Sequence, residues 1–248
     1  MGESFGAYKI GDDAAMLEVV TTANIACGFH AGDPMVIQRT IRNAKRNRVA
    51  IGAHPSFADF YGFGRRRIIG DRPEDLEAQL IYQIAAVRGM AAAEDHAITH
   101  VKTHGALGNM AAEDASLAKI CVQAVMAVDP QLAFVALPYS ETEKAAEKAG
   151  LPVVREVFAD RTYTDQGQLT PRSEPGAVIL DIQQSIDQVM EMVVNRFIPT
   201  EGGKKLAVEP NTLCVHGDTP NAVQMALRLR KELSDAGVSI KSFAAQPR

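Results

Sequence analysis

Two periodicities alternate along this chain. Short apolar runs of strand length are separated by longer stretches in which apolar residues recur every three or four positions, as on a buried helix face. After Asp12-Asp13, which suit a helix N-terminus, Met16, Val19 and Val20 fall at helical spacing. Asn24 to Phe29 is a short apolar run that ends in His30. Asp33 is then placed to cap a helix opened by Pro34, whose buried stripe is Val36, Ile37, Thr40, Ile41 and Ala44. Val49 to Ala53 repeats the strand pattern and ends in His54-Pro55. A helix follows from Pro73 to about Glu94, with Leu76, Leu80, Ile84 and Val87 on one stripe.

Ile98 to Lys102 alternates β-branched and polar residues, so His100 and Lys102 share one face and His104 follows in the loop. The next helix is expected from about Ser116, with Leu117, Ile120, Cys121, Ala124, Val125 and Val128 inward. Leu132–Leu137 reads as a buried strand and Glu141–Ala149 as a short helix. Val153–Phe158 is a strand that runs into Ala159-Asp160-Arg161. A further helix carries Ile182, Ile186, Val189, Val193 and Phe197, and Thr212–Val215 is the last strand, ending in His216. Pro220 opens a final helix with Val223, Leu227 and Leu233. Short buried strands alternating with crossover helices argue for an α/β protein with a parallel sheet, open or closed into a barrel. No internal repeat or Pro/Ser-rich linker divides the chain, so residues 1–248 are expected to form one domain.

The polar residues fall where strands end. Of the six histidines, His30, His54, His100 and His216 end or follow apolar runs and His104 lies one turn beyond; His96 is elsewhere and receives no function. Parallel strands place their C-terminal ends on one side, where α/β barrels and open sheets carry their sites. His30, His54, Lys102, His104, Asp160, Arg161, His216 and Asp218 are therefore expected to converge. A single histidine at a buried strand tip is more often a hydrogen-bonded core residue, but the repetition favours a site. Two polar loops, residues 56–67 with Phe57, Tyr61, Phe63 and Arg65-Arg66-Arg67, and residues 162–175 ending near Arg172, are long enough to cover such a mouth.

Composition removes some classes. With 46% hydrophobic and 23% charged residues the chain can bury a sizeable core, and a net charge of −4 with no long basic stripe argues against nucleic acid. The three cysteines, Cys27, Cys121 and Cys214, are widely spaced within apolar runs and read as buried thiols of a reducing compartment. There is no 18-residue apolar span and no secretion leader, so no membrane contact is expected and the cytoplasm is the default.

Imidazoles beside carboxylates would either bind a divalent metal or act as general bases without one, and spacing leaves both open. His30, His54 and His104 are the metal candidates. Lys102, Arg161 and Arg172, with Asp160 nearby, would hold an anionic substrate. His-Glu-x-x-His, Cys-x-x-Cys and Gly-x-Ser-x-Gly patterns are absent. Gly202-Gly203-Lys204-Lys205 lacks the features of a phosphate loop.

As a set, the motifs Glu3-Ser4-Phe5-Gly6-Ala7-Tyr8, Ala23 to Pro34, Gly52-Ala53-His54-Pro55-Ser56, His100 to Leu107, Glu156 to Arg161, Pro171-Arg172-Ser173 and Val215-His216-Gly217-Asp218 closely resemble the LamB/YcsF family. That family supplies the A subunit of the bacterial ATP-dependent 5-oxoprolinase. The resemblance implies a seven-stranded deacetylase-like β/α barrel, ATP as co-substrate, partner subunits B and C, and hydrolysis of the lactam 5-oxoproline to L-glutamate; a homo-oligomer is left open. On this reading His54 and His104 are bases or metal ligands, Lys102 and Arg172 hold carboxylate or phosphate, and His30, His216 and Asp218 orient them. The family's usual first strand, reading like Asp-Leu-Asn-x-Asp, is not seen before Met1-Gly2-Glu3, so the first strand is expected to be missing. Thr103 and Gly108 stand where the family pattern has proline and tyrosine. Two other readings compete: a stand-alone metal-dependent amide hydrolase or carbohydrate deacetylase, and a non-catalytic binding subunit.

Overall fold

The computed structural model describes residues 1–218 and 221–244. Its centre is a parallel sheet of β1 (Thr22–Ala26), β2 (Ala50–His54), β3 (Ile98–Val101), β4 (Ala133–Ala136), β5 (Val153–Phe158) and β8 (Thr212–Cys214), with neighbours in that order. Chain-order neighbours joined by helical crossovers curl the sheet into a half-barrel instead of winding it both ways. Among the described residues this sheet has six strands. Along the β1 edge, Ala26 N–H donates to the Met1 carbonyl at 2.9 Å, laying the chain start beside that strand.

The helices opened by Pro34 and Pro73 form where the pattern placed them, with local reasons. Asp33 accepts from the amides of Met35 and Val36, Pro34 opens α2 (Pro34–Arg46), and Lys45 and Arg46 close it against its dipole. All five residues of the expected α2 stripe are buried. In α3 (Pro73–Ala93), Glu74 and Asp75 sit in the first turn, and Leu76, Leu80, Ile84 and Val87 are buried. A shorter helix, α1 (Asp13–Leu17), is capped by Asp12 and buries Met16.

Three expectations are corrected. The polypeptide after His104 turns at once into α4 (Gly105–Glu113), and α5 (Ala115–Val128) follows. Asp114, with extended backbone, ends the first helix and caps the second through the amides of Ser116 and Leu117. Glycine and alanine dominate α4, and apolar periodicity over so small-residue a segment is weak. Phe197 does not continue the helix of Ile182: α7 (Ile182–Val193) stops, Arg196 takes a left-handed φ of 60°, and Phe197 begins β6 (Phe197–Pro199). This strand pairs antiparallel with β7 (Lys205–Ala207), so the polar residues 200–204 are the turn of a hairpin. In α8 (Ala222–Asp235) Leu229 and Leu233 point inward, but Leu227 is exposed. Pro220 lies outside the described residues. The remaining helix among the described residues is α6 (Glu141–Ala149).

Apolar residues of β1 to β4 and of α2, α3 and α5 make the larger core; β5, α7, β6 and α8 make a second. Gly52 pairs with His100 across β2 and β3, and a Cβ on it would lie 2.6 Å from the His100 ring carbon Cγ. His100 is thereby fixed in the sheet. Its Nε2 faces the Asn24 side-chain oxygen at 3.1 Å and its Nδ1 faces the Thr99 hydroxyl at 2.9 Å.

Candidate active site

The C-terminal ends of the parallel strands share one side, and the residues following them form three groups. The first is a cluster of histidines. His30 stacks on His104 with ring centroids 3.9 Å apart and planes at 10°, and His54 stands perpendicular to His104 at 4.9 Å. His54 Nδ1 lies 2.6 Å from the Lys102 carbonyl, and His104 Nε2 lies 2.8 Å from the Phe63 carbonyl. Each of those nitrogens must carry the proton, because a carbonyl can only accept. The other two, His104 Nδ1 and His54 Nε2, are 3.2 Å apart. Neither nitrogen of His30 has a hydrogen-bond partner among the described residues, although the ring is buried. A carboxylate oxygen of Glu3 lies within 4.8 Å of ligand atoms on both His30 and His104. Burial disfavours charge on all three rings, reinforced for His30 and His54 by His104, and His104 is lowered to about 3.

The second group surrounds Lys102. Its Nζ forms an ion pair with Glu156, donates to Cys214 Sγ at 3.4 Å, and lies 4.7 Å from the centre of the Phe158 ring. Burial opposes charge on Lys102, yet its anionic surroundings hold its pKa above the usual lysine value. Burial pushes the Cys214 thiol up to about 12, so it remains protonated and Glu156 is the partner that supplies negative charge.

In the third group His216 Nδ1 faces both oxygens of Asp160, at 2.8 and 2.7 Å. A carboxylate on that nitrogen fixes the tautomer, leaving Nε2 as the acceptor; Arg172 Nη2 lies 3.4 Å from it. Burial and nearby Arg65 both lower the Arg172 pKa. Asp218 accepts from Arg65 at 2.7 Å, and although burial opposes its charge, Arg65 holds the carboxyl below its ordinary value.

The expected convergence is thus resolved by position. Lys102, Arg172, His216 and Asp218 line one cavity of 740 Å³ together with His54 and His104. His30 lies behind His104, stacked on its face. Arg161 also reaches the cavity wall, but its guanidinium donates to the carbonyls of Ala177 and Thr170, fastening the loop after β5. His100 stays in the sheet with its own partners and His96 faces the Val49 carbonyl at 3.1 Å.

Two carboxylates were not singled out from sequence. Glu156 occupies an otherwise apolar run, Val153-Val154-Arg155-Glu156-Val157-Phe158, and is buried; a charge at an inward strand position demands an opposite charge, which was the available signal. Glu3 had no such signal, since nothing in a loop sequence says it returns to a histidine. The loop after β2 also contributes backbone. The buried Asp59 carboxylate accepts from Gly62 N–H and the Arg66 guanidinium, and this folds the loop so that the Phe63 carbonyl reaches His104.

The model of the LamB/YcsF family matches residues 1–248. The chain belongs to the LamB/YcsF family. It is 46% identical over 98% of its length to the second 5-oxoprolinase A subunit of Bradyrhizobium diazoefficiens (strain USDA 110), covering 95% of that protein. It is 50% identical over 96% of its length to the 5-oxoprolinase A subunit of Azoarcus sp. (strain BH72), covering 92% of that protein. Among solved structures it is similar to the lactam utilization protein of Thermus thermophilus, with a TM-score of 0.91 and 42% identity over 98% of this chain and 97% of that one. Thr103 and Gly108 meet in this LamB/YcsF chain: a Cβ on Gly108 would lie 2.9 Å from the Thr103 carbonyl. No helix among the described residues is long and apolar enough to cross a membrane.

Proposed function

We propose that this chain is the A subunit of an ATP-dependent 5-oxoprolinase, acting on a cyclic amide with partner subunits B and C. Family membership and relatives 45–50% identical that carry this name support the reading. The observation that carries it in the molecule is the meeting of Lys102, Arg172 and His216 around one cavity, with the buried Asp160 behind His216. A five-membered lactam bearing one carboxylate needs a cation to hold it and a base to direct water at its carbonyl. Lys102, which lines the cavity while paired with Glu156, and Arg172 are the cations; the Arg161 guanidinium is engaged by backbone carbonyls. His216, held by Asp160 with Nε2 as acceptor, is the oriented base. Asp218 and Arg65 close the mouth beside it.

An unstrained amide is a poor electrophile, and phosphorylation of its oxygen by ATP would convert that oxygen into a leaving group. This LamB/YcsF chain has no phosphate loop, so the proposal places ATP between it and its partners, with Arg172 as the contributing cation. The seven-stranded deacetylase-like barrel implied by the resemblance is part of the same reading; the backbone pairing of Met1 with β1 supports a further strand position at that edge.

The test is glutamate release from 5-oxoproline and ATP by the chain mixed with subunits B and C. Lys102→Met and Arg172→Gln should each lower turnover by roughly a hundredfold or more, as loss of a charged contact to a reacting anion does. Wild-type turnover in both variants would remove the two cations from the site. Amide hydrolysis without ATP and partners would instead favour a stand-alone hydrolase, the reading that the histidine cluster favours.

A further inference from the structure

The arrangement of His54 and His104 has no satisfactory explanation from the protein's own groups. Each ring gives one N–H to a backbone carbonyl, His54 Nδ1 to Lys102 at 2.6 Å and His104 Nε2 to Phe63 at 2.8 Å. In neutral rings the remaining nitrogens, His54 Nε2 and His104 Nδ1, are both lone-pair acceptors, and they sit 3.2 Å apart. Two acceptors at that distance repel unless something positive joins them. That something is either a shared proton or a cation.

A shared proton would account for this one contact and leave the neighbouring Glu3 carboxylate and the unpartnered His30 nitrogens unexplained. A metal ion would take up both lone pairs and also give the nearby carboxylate a role. Glu3 brings an oxygen within 4.8 Å of His30 and His104 ligand atoms, and the buried His30 ring has two nitrogens with no partner among the described residues. Two nitrogens bound tetrahedrally to one zinc-class ion at about 2.0–2.1 Å lie roughly 3.3–3.4 Å apart. The spacing here is 3.2 Å. Histidine ligands also habitually give their second N–H to a carbonyl or carboxylate, which fixes the ring and leaves the other nitrogen for the metal. Both rings do so.

We infer that His54 Nε2 and His104 Nδ1 are the nitrogen pair of a site for a divalent cation of the zinc class, with Glu3, whose carboxylate lies within 4.8 Å of ligand atoms of His104 and His30, as the nearby acidic donor. Mixed imidazole and carboxylate donors suit such an ion better than magnesium or calcium, which take oxygen ligands. The site shares its cavity with Lys102 and His216 but uses different side chains, so its test does not depend on which amide the chain opens.

Cobalt(II) is the probe, added to the chelator-treated full chain. The expected result is about one equivalent retained through dialysis, with the visible absorption of a tetrahedral or five-coordinate site. His54→Gln and His104→Gln should abolish that absorption, and Glu3→Gln should weaken binding by about 10–100-fold, with circular dichroism confirming that each variant is folded. Nitrogen-15 NMR of the histidines in the wild-type chain gives an independent reading. Lone-pair shifts at His54 Nε2 and His104 Nδ1 that move when zinc is added support the site. One shared N–H that zinc does not displace, or cobalt uptake unchanged in the folded histidine variants, overturns it. A reconstituted complex that fails to open 5-oxoproline while this chain binds cobalt here would count against the oxoprolinase reading and not against the metal site.

Discussion

Arg65 donates to Asp218 at 2.7 Å, joining the loop after β2 to the loop after β8 across 153 residues of sequence. Arg65 also lies over the Phe63 ring at 4.9 Å, and the Phe63 carbonyl holds His104. One pair thus links the histidine cluster to the His216 side of the mouth. Arg65 is 34% exposed, so Arg65→Gln should cost less than about 1 kcal/mol of stability. Its effect should fall on substrate capture, with KM raised roughly tenfold, about 1.4 kcal/mol, in the reconstituted complex. An unchanged KM together with a lowered melting temperature would make the pair structural only.

Gly64 is the point at which that loop presses on the site. Its φ is +66°, and a Cβ there would lie 2.8 Å from His104 Cδ2 and 2.9 Å from His30 Cβ. Gly64 O also accepts from Ala106 N–H at 2.8 Å, at the start of α4. Gly64→Ala should therefore combine backbone strain with a clash, costing about 1–3 kcal/mol, and should displace His104. Urea unfolding measures the first effect and histidine NMR shifts the second; an alanine variant unchanged in both would contradict this placement.

His100 gives the chain a pH dependence outside the site. Burial lowers its pKa to about 3, with the Lys102 charge adding to the effect. In the unfolded chain a histidine titrates at about 6.5. Between about pH 3 and about 6.5 the unfolded state therefore binds the extra proton, and stability rises with pH by up to about 1.4 kcal/mol per unit from this ring. The contribution is complete above about 6.5 and is lost progressively on acidification. His100→Gln should flatten the slope of unfolding free energy against pH by about one proton over that window. An equal slope in the variant would show that the ring can charge without unfolding.

The frame was legible because it is written locally. Asp33-Pro34 announces a capped helix, the Leu76, Leu80, Ile84, Val87 stripe announces another, and a histidine closes successive apolar runs. Parallel strands then bring those histidines to one end without any further information. What was not legible depends on curvature and loop return. Glu156 on β5 meets Lys102 beyond β3 with β4 between them in the sheet, a pairing across an intervening strand that sequence order does not announce. Glu3 reaches His30 and His104 through a loop with no periodicity. His100 had the same signature as His54 and His104, yet Asn24 and Thr99 satisfy it inside the sheet. Sequence pattern places a ring at a strand end; it does not say what the ring's nitrogens face.

The Lys102–Glu156 pair allows stability to be separated from function. Both side chains are buried, with 12% and 6% of their surface exposed. Removing one partner strands a charge in low dielectric, so Lys102→Met alone should cost about 3–5 kcal/mol. Replacing both by apolar residues removes the pairing energy and the desolvation penalty together. The double variant Lys102→Met/Glu156→Leu should therefore be more stable than the single one, within about 1–2 kcal/mol of wild type. If Lys102 holds the substrate carboxylate, both variants stay inactive although only one is destabilised. Urea unfolding and coupled glutamate release on the same preparations read the two quantities. Recovery of turnover in the double variant would assign Lys102 a structural part only, whereas additive stability losses would show that the two charges do not act as a pair.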